Sequence, residues 1–327
     1  MRPRSLLALL LVVLAFAPAA AAADLNGSRA RQSEATLLTV LAGRSDVTAW
    51  PFSQALTAAV AVAALPDATP GDRATAAQLV ARLRGYDSRL GYTSQRYGEL
   101  YYDDNEWIAL ALLDWYGVSH DPQALAQAKR ILGIVLTAWD GRKGVPCGGG
   151  IYWMRSRTNR DRNTVTTSAG ALLALRLAAL DPNPAYRWWG TRMLRWLDTC
   201  MLAPDGLYYD HLTRDGAMDA TQWSYNQGNV IGALLAIGDA TSLAHAERIA
   251  SASLRWLEPQ RNGDEPPEFV AVLARNVVAL GAVDGDPRWR AAVQTYADAA
   301  WSRPLPRVLD RAAVTQLYAL LAATTGR

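Results

Sequence analysis

The chain has 327 residues, and its 33 Lys and Arg against 30 Asp and Glu give a formal net charge of +3. Removal of the N-terminal segment that carries Arg2 and Arg4 leaves 3 − 2 = +1. A nearly neutral chain without a cluster of Lys or Arg lacks the basic surface of a nucleic-acid-binding protein, and it suits a neutral glycan at least as well as a polyanion.

The first residues have the pattern of a targeting segment. Arg2 and Arg4 precede an apolar run over residues 6–16, Pro18 interrupts the helical pattern, and small residues end at Ala23. This order predicts a secretory signal peptide over residues 1–23 with cleavage near Ala23, because the run is too short to span a bilayer comfortably. We expect a secreted or periplasmic protein without stable membrane insertion after signal removal. The alternative is an uncleaved membrane anchor.

The remaining residues, 24–327, have the length of one large domain and a predominantly helical pattern. Apolar residues recur at helical spacing in about a dozen segments, and prolines such as Pro122 and Pro287 stand where helices begin. Helix–turn–helix pairs recur roughly every 45 residues, which fits either an open superhelix or a toroid of six hairpins. The periodicity predicts an all-α domain and does not distinguish these two closures.

Two long regions lack helical periodicity. Residues 141–162 and 204–223 are rich in Gly, Asp and aromatic side chains, and long loops in a compact helical domain usually carry function. Cys147 lies in the first region, and Cys200 lies just before the second. In an oxidising compartment the two are candidates for a disulfide, and two buried thiols are the alternative.

Several kinds of chemistry are not indicated. The sequence has neither a G-x-S-x-G nor an H-E-x-x-H motif, and neither Lys129 nor Lys143 has a setting that suggests a Schiff base. His120, His211 and His245 are scattered without metal-ligand spacing. We therefore expect no metal and no organic cofactor.

The segment at residues 101–107 carries the main catalytic hypothesis. Asp103 and Asp104 stand between two tyrosines and Trp107, directly before an apolar helical run. Helix capping explains one Asp at such a place, whereas two among aromatic residues suggest glycoside cleavage. Retaining glycosidases need two carboxyl groups about 5–5.5 Å apart, which neighbouring residues at a loop–helix junction can reach. Repulsion between them raises the pKa of one, which then holds a proton for the leaving group.

Three further segments suit sugar binding. Residues 148–153 combine three glycines with Tyr152 and Trp153, which offer flat faces to a sugar ring; a tight turn with two core aromatics is the alternative. A turn that ends in Asp210 offers a carboxylate for hydroxyl groups. Residues 223–228 place Tyr, Asn and Gln before a helix, and amides donate and accept together. Loop packing and helix capping are the alternatives for both.

The chain has 12 Trp but only 3 Phe, a bias that core filling alone does not explain. Four tryptophans lie near helix starts or in loops and are candidates for stacking on sugars: Trp50, Trp107, Trp153 and Trp223. Five lie on helical faces and are expected to be mostly core: Trp188, Trp189, Trp196, Trp256 and Trp289.

Taken in order, four segments resemble one family. They are Tyr-Asp-Asp-x-x-Trp at residues 102–107, Gly-Gly-Ile-Tyr-Trp at 149–153, a Thr/Ser-rich helix start at 163–174, and Trp-Ser-Tyr-Asn-Gln-Gly at 223–228. The set is similar to the family 76 glycoside hydrolases, the endo-α-1,6-mannanases, over roughly residues 48–240. The resemblance implies an (α/α)6 barrel and retaining cleavage of internal α-1,6-mannosidic bonds. It also implies Asp103 as nucleophile and Asp104 as acid/base.

The motifs and the resemblance together give a predicted substrate-binding set. Its members are Trp50, Tyr102, Trp107, Gly149, Gly150, Tyr152, Trp153, Asn163, Thr167, Asp210, Trp223, Tyr225, Asn226 and Gln227. Two features depart from the family pattern. Ile108 stands where a second aromatic residue is frequent. Residues 155–162 contain four arginines, which suggest a charged glycan such as a phosphorylated mannan or, alternatively, a solvated surface loop: Arg155, Arg157, Arg160 and Arg162.

The leading hypothesis is a monomeric, extracytoplasmic, endo-acting hydrolase of α-mannan or a related mannose-containing glycan. A transglycosylase is the second hypothesis, since it uses the same residues with a sugar hydroxyl in place of water. A non-catalytic glycan-binding protein on the same scaffold is the third, and the intact pair of Asp103 and Asp104 argues against it.

Overall fold

The structure is a computed structural model that describes the backbone of residues 7–260 and 265–323, and the side chains from residue 25 onward within those ranges. Helix α1 (Leu7–Ala42) runs through the region of the predicted signal peptide. The side chains of that peptide lie outside the described residues, so the peptide and its cleavage near Ala23 stay predictions. Within the described ranges, no helix is both long enough and apolar enough to cross a membrane.

Twelve α-helices make up most of the described chain, and they alternate between an outer and an inner position. The outer helices are α1, α3 (Pro70–Arg82), α5 (Pro122–Leu136), α7 (Pro184–Cys200), α9 (Ala240–Ser253) and α11 (Pro287–Trp301). The inner helices are α2 (Ala49–Ala63), α4 (Tyr102–Ser119), α6 (Thr164–Leu180), α8 (Ser224–Ile237), α10 (Pro267–Asp284) and α12 (Val308–Ala323). Short 3₁₀ turns follow α3 and α9, at Leu83–Gly85 and Leu254–Leu257.

The inner helices form a closed ring. Each packs against the next one in chain order, and α12 packs against α2. Each outer helix covers an inner partner, with α1 against α12. An open superhelix would leave its first and last hairpins apart, so the predicted toroid of six hairpins, an (α/α)6 barrel, is confirmed.

Burial follows from the two positions. On the outer helix α5, buried residues recur at helical spacing on one face only: Ala124, Ala128, Ile131, Leu132 and Val135. The inner helix α6 is buried continuously over residues 164–175, because neighbours surround it. The periodicity of the sequence therefore marks the outer helices most clearly, while the inner ones are buried on most sides.

The tryptophans on helical faces are not all core. Trp196, Trp256 and Trp289 are buried as expected. Trp188 is 53% exposed, so its assignment to the core is wrong. Its ring lies on the solvent side of α7 beneath the guanidinium of Arg192, 4.8 Å from the ring centroid.

The end of the barrel where the outer helices begin is built from short turns. Five outer helices start with a residue whose side chain accepts a bond from a backbone N–H of the first turn: Thr69, Asp121, Asn183, Asp239 and Asp286. A proline follows four of these caps. We call this end the capped end.

The opposite end carries long connections and is called the loop end. Strands β1 (Asp87–Ser88) and β2 (Gly91–Tyr92) pair before α4. Strands β3 (Arg162–Asn163), β4 (His211–Leu212) and β5 (Met218–Asp219) form an antiparallel sheet in that order, with Asn163 opposite His211. This small sheet joins the two long regions that lack helical periodicity.

Among the residues that the structure describes, no side chain caps the start of the inner helices α2, α4, α6, α8 and α10. In four of them the first amide N–H donates to the connection that leads to the next inner helix. The bonds are Ala49 N to Ser94 O (2.9 Å), Tyr102 N to Trp153 O (2.9 Å), Thr164 N to Asp210 O (2.8 Å) and Ser224 N to Glu265 Oε1 (2.7 Å). Each loop is therefore fixed over the neighbouring hairpin, which holds the loop end together.

The connection before α6 has two further anchors. Cys147 and Cys200 form a disulfide that ties it to the end of α7 (Cα–Cα 5.9 Å). Arg162 is fully buried, donates to the carbonyls of Pro146 and Cys147 (both 2.9 Å), and lies 3.7 Å from Asp140. Arg162 is therefore not exposed to solvent as a surface-loop arginine would be, because the connection before α6 encloses its charge.

Candidate active site

A cavity of about 700 Å³ opens at the loop end and is called the main cavity. The second or third residue of five inner helices lines it: Trp50, Asp103 and Asp104, Val165, Tyr225, and Phe269. Trp107 of α4 also lines it, and the connections contribute the other lining residues: Thr48, Ser94, Glu99, Tyr101, Trp153, Asp161, Asn163, Asp210 and His211. Because several helix N-termini converge here, their dipoles favour negative charge in the cavity.

Asp103 and Asp104 lie in the first turn of α4 and line this cavity, but their surroundings differ. The indole N–H of Trp153 donates to Asp103 Oδ2 (3.1 Å), and the backbone N–H of Asp104 donates to Asp103 Oδ1 (3.0 Å). The carboxyl group of Asp104 has no hydrogen-bond partner in the described part of the chain, and the residue is 8% exposed. One carboxyl group is therefore held as an acceptor, and the other is free to face a ligand.

These surroundings affect the pKa values of the two carboxyl groups differently. Burial raises the pKa of Asp103 to about 6; the charge of Asp210 adds to the rise, and the bond from Trp153 opposes it. Burial and, secondly, the charge of Asp103 raise the pKa of Asp104 well above its ordinary value. Of the two carboxyl groups, Asp103 is therefore the one that ionises more readily, and Asp104 is the one that more readily keeps its proton.

Glu106 is a third acid near the start of α4. It is 0% exposed, and neither of its carboxyl oxygens has a partner within the described residues. Burial, then the charge of Asp103, raises its pKa well above the ordinary value. A Cβ on Gly170 of α6 would lie 2.9 Å from Glu106 Oε1, so the glycine leaves space for this carboxyl group. Glu106 is therefore a side chain packed between α4 and α6 whose surroundings favour the protonated form.

Aromatic rings form two groups along the cavity. The larger one runs from Trp107 to Trp50 (ring centroids 5.5 Å apart), on to Phe269 (6.4 Å) and then to Tyr225 (4.0 Å). The smaller one pairs Tyr101 with Trp153 (5.0 Å). Such rings combine broad apolar faces with polar edges, which suits a ligand that has C–H faces and hydroxyl rims.

Polar groups with unused hydrogen-bonding capacity lie beside these rings. Asn163 is 8% exposed, and its Oδ1 has no partner among the residues that the structure describes. Asn226 is fully buried and donates from Nδ2 to Asp210 Oδ1 (3.5 Å), and its Oδ1 likewise has no partner among them. The Asp210 carboxylate and the Asn163 amide are suited to bind hydroxyl groups, while the buried Asn226 amide acts through its bond to Asp210.

Asp210, His211 and Asp219 each place one ligand-type atom within 4.8 Å of the others. The sequence spacing gave no sign of this trio, because the β4–β5 pairing creates it by setting His211 opposite Asp219. Asp210 Oδ2 and His211 Nδ1 are hydrogen-bonded at 2.9 Å, and this bond raises the pKa of His211. The bond and the strand pairing explain the proximity, so the trio carries no argument for a metal ion.

The profile of Glycosyl hydrolase family 76 matches residues 25–264. This chain belongs to glycosyl hydrolase family 76. Among curated proteins, the mannan endo-1,6-alpha-mannosidase DCW1 of Candida glabrata is 32% identical over 116 residues. That match covers 33% of this chain and 25% of the yeast protein, so the chain spans about a quarter of that relative's length.

Solved structures of family 76 share the fold. The mannosidase Bt3792 of Bacteroides thetaiotaomicron superimposes with a TM-score of 0.80 at 18% identity, over 91% of this chain and 98% of that one. An inactive variant of the α-1,6-mannanase GH76A of Salegentibacter sp., in complex with α-1,6-mannotriose, gives a TM-score of 0.75 at 18% identity, over 91% and 99%. At these identities the likeness concerns the fold.

The structure brings many predicted site residues of this family 76 chain into the main cavity. They are Trp50, Asp103, Asp104, Trp107, Trp153, Asn163, Asp210 and Tyr225. Tyr102 and Tyr152 line a second cavity that adjoins it instead. They come from adjacent segments whose backbones are hydrogen-bonded, Tyr102 N to Trp153 O, so both tyrosines face the same neighbouring space.

Gly149 and Gly150 lie outside the main cavity. Both have positive φ (+111° and +82°), which favours glycine. A Cβ on Gly149 would lie 2.7 Å from the ring of Trp139, and one on Gly150 would lie 2.6 Å from the ring of Trp196. Packing against tryptophan, and not the approach of a ligand, therefore accounts for these glycines.

Thr167 and Gln227 are also absent from the lining, because both hold loop backbone. Thr167 Oγ1 accepts the N–H of Ile151 (2.9 Å). Gln227 Oε1 accepts the N–H of Tyr208, and its Nε2 donates to the carbonyl of the same residue (both 2.9 Å). These side chains set the positions of the loops that form the cavity.

Trp223 and Asn226 lie behind the lining. Trp223 packs edge-on against Phe269 (5.7 Å) and supports that ring from outside the cavity lining. Asn226 is connected to the cavity through its bond to Asp210. Their effect on a ligand therefore passes through Phe269 and Asp210.

Several lining residues were not singled out from the sequence: Thr48, Ser94, Glu99, Tyr101, Asp161, Val165, His211 and Phe269. Phe269 had a usable signal, because it stands near the start of α10 as Trp50 and Tyr225 do in α2 and α8. The polar loop residues had none, since strand pairing and loop docking alone bring them to the cavity.

Proposed function

We propose that this chain is a secreted, endo-acting glycoside hydrolase that cleaves internal α-1,6-mannosidic bonds of mannan with retention of configuration. The observation that carries the proposal is the pair Asp103 and Asp104, adjacent on one helix start, open to an aromatic-lined cavity and unlike in environment. The names of the relatives support the substrate. The inactive Salegentibacter variant has asparagine at two consecutive aspartates, which supports the pair.

Each acid has a distinct role in this proposal. Protonated Asp104 gives its proton to the glycosidic oxygen while ionised Asp103 attacks the anomeric carbon, so the C–O bond breaks and a glycosyl ester forms. Asp104, now ionised, takes a proton from water as the water attacks the anomeric carbon. The ester breaks, and Asp103 is released as a carboxylate. Trp153 and the start of α4 stabilise the charge on Asp103 between turnovers.

The remaining lining suits a chain of mannose units. The rings of Trp50, Trp107 and Phe269 offer C–H faces a surface, and Asp210 with Asn163 offers acceptors to hydroxyl groups. A site that is open to solvent at the loop end admits an internal bond of a long polymer, which supports endo action.

The location is part of the same proposal. The leader pattern of residues 1–23 supports export, and the Cys147–Cys200 disulfide supports an oxidising compartment. Cell fractionation of the full chain, with N-terminal sequencing of the product, tests both the export and the cleavage near Ala23.

The catalytic roles are tested with alanine variants and azide. On an aryl α-1,6-mannobioside, whose leaving group needs no protonation, Asp104→Ala forms the glycosyl ester and Asp103→Ala does not. Azide then gives an α-mannosyl azide with Asp104→Ala and a β-mannosyl azide with Asp103→Ala. Asp215→Ala, an exposed acid in the β4–β5 turn outside the main cavity, is the matched control and behaves as wild type.

The outcomes separate the parts of the proposal. Near wild-type cleavage of α-1,6-mannan by either alanine variant removes the pair from catalysis. Azide products of the opposite anomeric form exchange the two roles. A first-formed hydrolysis product with inverted configuration overturns the retaining mechanism.

A further inference from the structure

A second cavity of about 600 Å³ adjoins the main cavity. Glu99 lines both cavities. The second cavity also includes Tyr102, Tyr152 and three arginines, Arg155, Arg157 and Arg160. We call it the arginine cavity. Neither the acid pair nor the aromatic groups of the main cavity account for it.

The three arginines have no acidic partner among the described residues. Some arginines elsewhere pair with acids, as Arg142 does with Asp140 (2.8 Å) and Arg176 with Asp114 (2.7 Å), whereas others on the surface do not. In the described chain, none of the guanidinium groups of Arg155, Arg157 and Arg160 forms an ion pair or a hydrogen bond. Their donors are therefore free for a ligand: Arg155 and Arg157 are exposed, Arg160 is half-buried, and all three line one cavity.

The loop that carries them is built to hold its shape. The N–H of Arg155 donates to Leu100 O (2.9 Å), and the N–H of Trp153 donates to Asp161 O (3.0 Å). Between these anchors, Ser156 Oγ accepts the N–H groups of Thr158 and Asn159 (both 3.1 Å). The same segment begins at Trp153, whose indole holds Asp103, so the cavity and the acid pair share one support.

The charge of the arginine cavity is positive. Glu99 is the one carboxylate among its described lining residues, and the hydroxyl of Tyr101 donates to that carboxylate (2.5 Å). Arg160 stacks over the ring of Tyr152, 4.9 Å from its centroid. Burial raises the pKa of Tyr102, and the charges of Arg155 and Arg160 act against that rise, which places both cations near its hydroxyl.

We propose that the arginine cavity binds a phosphate group carried by the glycan in the main cavity, so that the preferred substrate is a phosphorylated mannan. This inference rests on the proposed function. Guanidinium groups bind phosphate oxygens in a bidentate manner and do not lose their charge, which suits a fixed cluster of three. The described lining of the main cavity contains several acids and no arginine, whereas the arginine cavity has one acid and three arginines, so a phosphate is expected in the arginine cavity.

The test compares neutral linear α-1,6-mannohexaose with a set of hexaoses that carry one phosphate monoester on successive residues. For at least one isomer, wild-type protein is expected to show kcat/KM about tenfold or more above the neutral value at low salt, and this advantage falls as salt is added. In Arg155→Gln/Arg157→Gln/Arg160→Gln the advantage is lost, while kcat/KM on neutral hexaose stays at the wild-type value.

A charge-matched control replaces three arginines outside both cavities, Arg73, Arg84 and Arg195, which are exposed and unpaired in the described structure. This variant is expected to keep the advantage. Equal rates of wild type on neutral and all phosphorylated hexaoses overturn the inference and leave the proposed function intact. An advantage that survives the arginine-cavity variant also overturns it. Absence of cleavage of every hexaose overturns the proposed function instead.

Discussion

The two ends of the barrel use the same structural element in opposite ways. At the capped end, five outer helices begin with a side chain that binds their own free N–H groups. At the loop end, five inner helices begin without one, and the first amide of four of them is bound by a neighbouring loop. The first arrangement is local in sequence, and the second depends on residues tens of positions away.

The difference shows where the molecule places its stability and where it places its chemistry. A side-chain cap contributes about 1 kcal/mol to its own helix and leaves no group for a ligand. Without such caps, the starts of the inner helices keep acidic and aromatic side chains directed into the main cavity. The loop end also contains two acids, Asp104 and Glu106, whose burial disfavours their charged forms. We therefore expect changes at the two ends to have separable effects.

The largest difference between an effect on activity and an effect on stability is expected for two variants of α4. Asp104→Asn lowers kcat on α-1,6-mannan by about 10²–10⁴-fold, because it removes the proton donor. Its melting temperature is not lowered, because the folded protein already favours the uncharged side chain. Asp114→Asn, on the same helix near the capped end, loses its pairing with Arg176 and keeps its activity. Steady-state kinetics and thermal melts of both variants check this, and an Asp104→Asn protein that melts well below wild type contradicts it.

Glu106→Gln is expected to stabilise the protein at neutral pH. Below pH 4.5 the carboxyl group is protonated in both states; above it the unfolded chain releases the proton while the folded chain keeps it. The free energy of unfolding of the wild type therefore falls, relative to the variant, by about 1.4 kcal/mol per pH unit until the folded group ionises.

Urea unfolding of wild type and Glu106→Gln between pH 4 and 8 measures this difference. Glu247→Gln removes an exposed acid on α9 and serves as the control without such a slope. Parallel pH profiles of wild type and Glu106→Gln would show that Glu106 is charged in the folded protein.

The fall of kcat/KM at acidic pH is expected to reflect the ionisation of Asp103. Because the nucleophile must be ionised and its pKa is raised to about 6, kcat/KM falls as the pH drops below about 6. Trp153→Phe removes a hydrogen bond that lowers this pKa, so this fall moves to higher pH. Trp50 lines the same cavity and forms no bond to Asp103 in the described structure. Trp50→Phe is therefore the control and is expected to leave the acidic side of the pH–activity profile unchanged. The check is kcat/KM on mannohexaose as a function of pH. If Trp153→Phe has the same acidic pH dependence as wild type, the indole does not have this role.

The smallest effect is expected at the capped end. Asp121→Ala removes the cap of α5 and costs about 1 kcal/mol of unfolding free energy with kcat/KM unchanged. Asp121→Asn retains a capping oxygen and loses little, which makes it the matched control. Denaturant titration checks the stability. A loss of activity in Asp121→Ala would contradict the independence of the two ends.

Local rules of helix capping and apolar spacing determine much of this architecture. Capping residues followed by proline mark the starts of the outer helices at Asp121 and Asp286, and the spacing of the apolar residues of α5 marks its buried face. The pair Asp103–Asp104 was readable for the same reason, because adjacent residues at a helix start are neighbours in any fold. The family motifs added the closed ring, which periodicity alone did not distinguish from a superhelix.

What only the tertiary structure decided depends on contacts between distant segments. Gln227 had the composition of a sugar-binding residue, but loop docking occupies its amide with the backbone of Tyr208. Phe269 and Glu99 belong to the site because ring closure and loop docking bring them there. Arg162 is a buried anchor, because the pairing of β3 turns it inward. Arg160, two residues earlier, lines the arginine cavity as a free cation. Sequence determines such residues' chemistry, and packing determines which of their groups remain free.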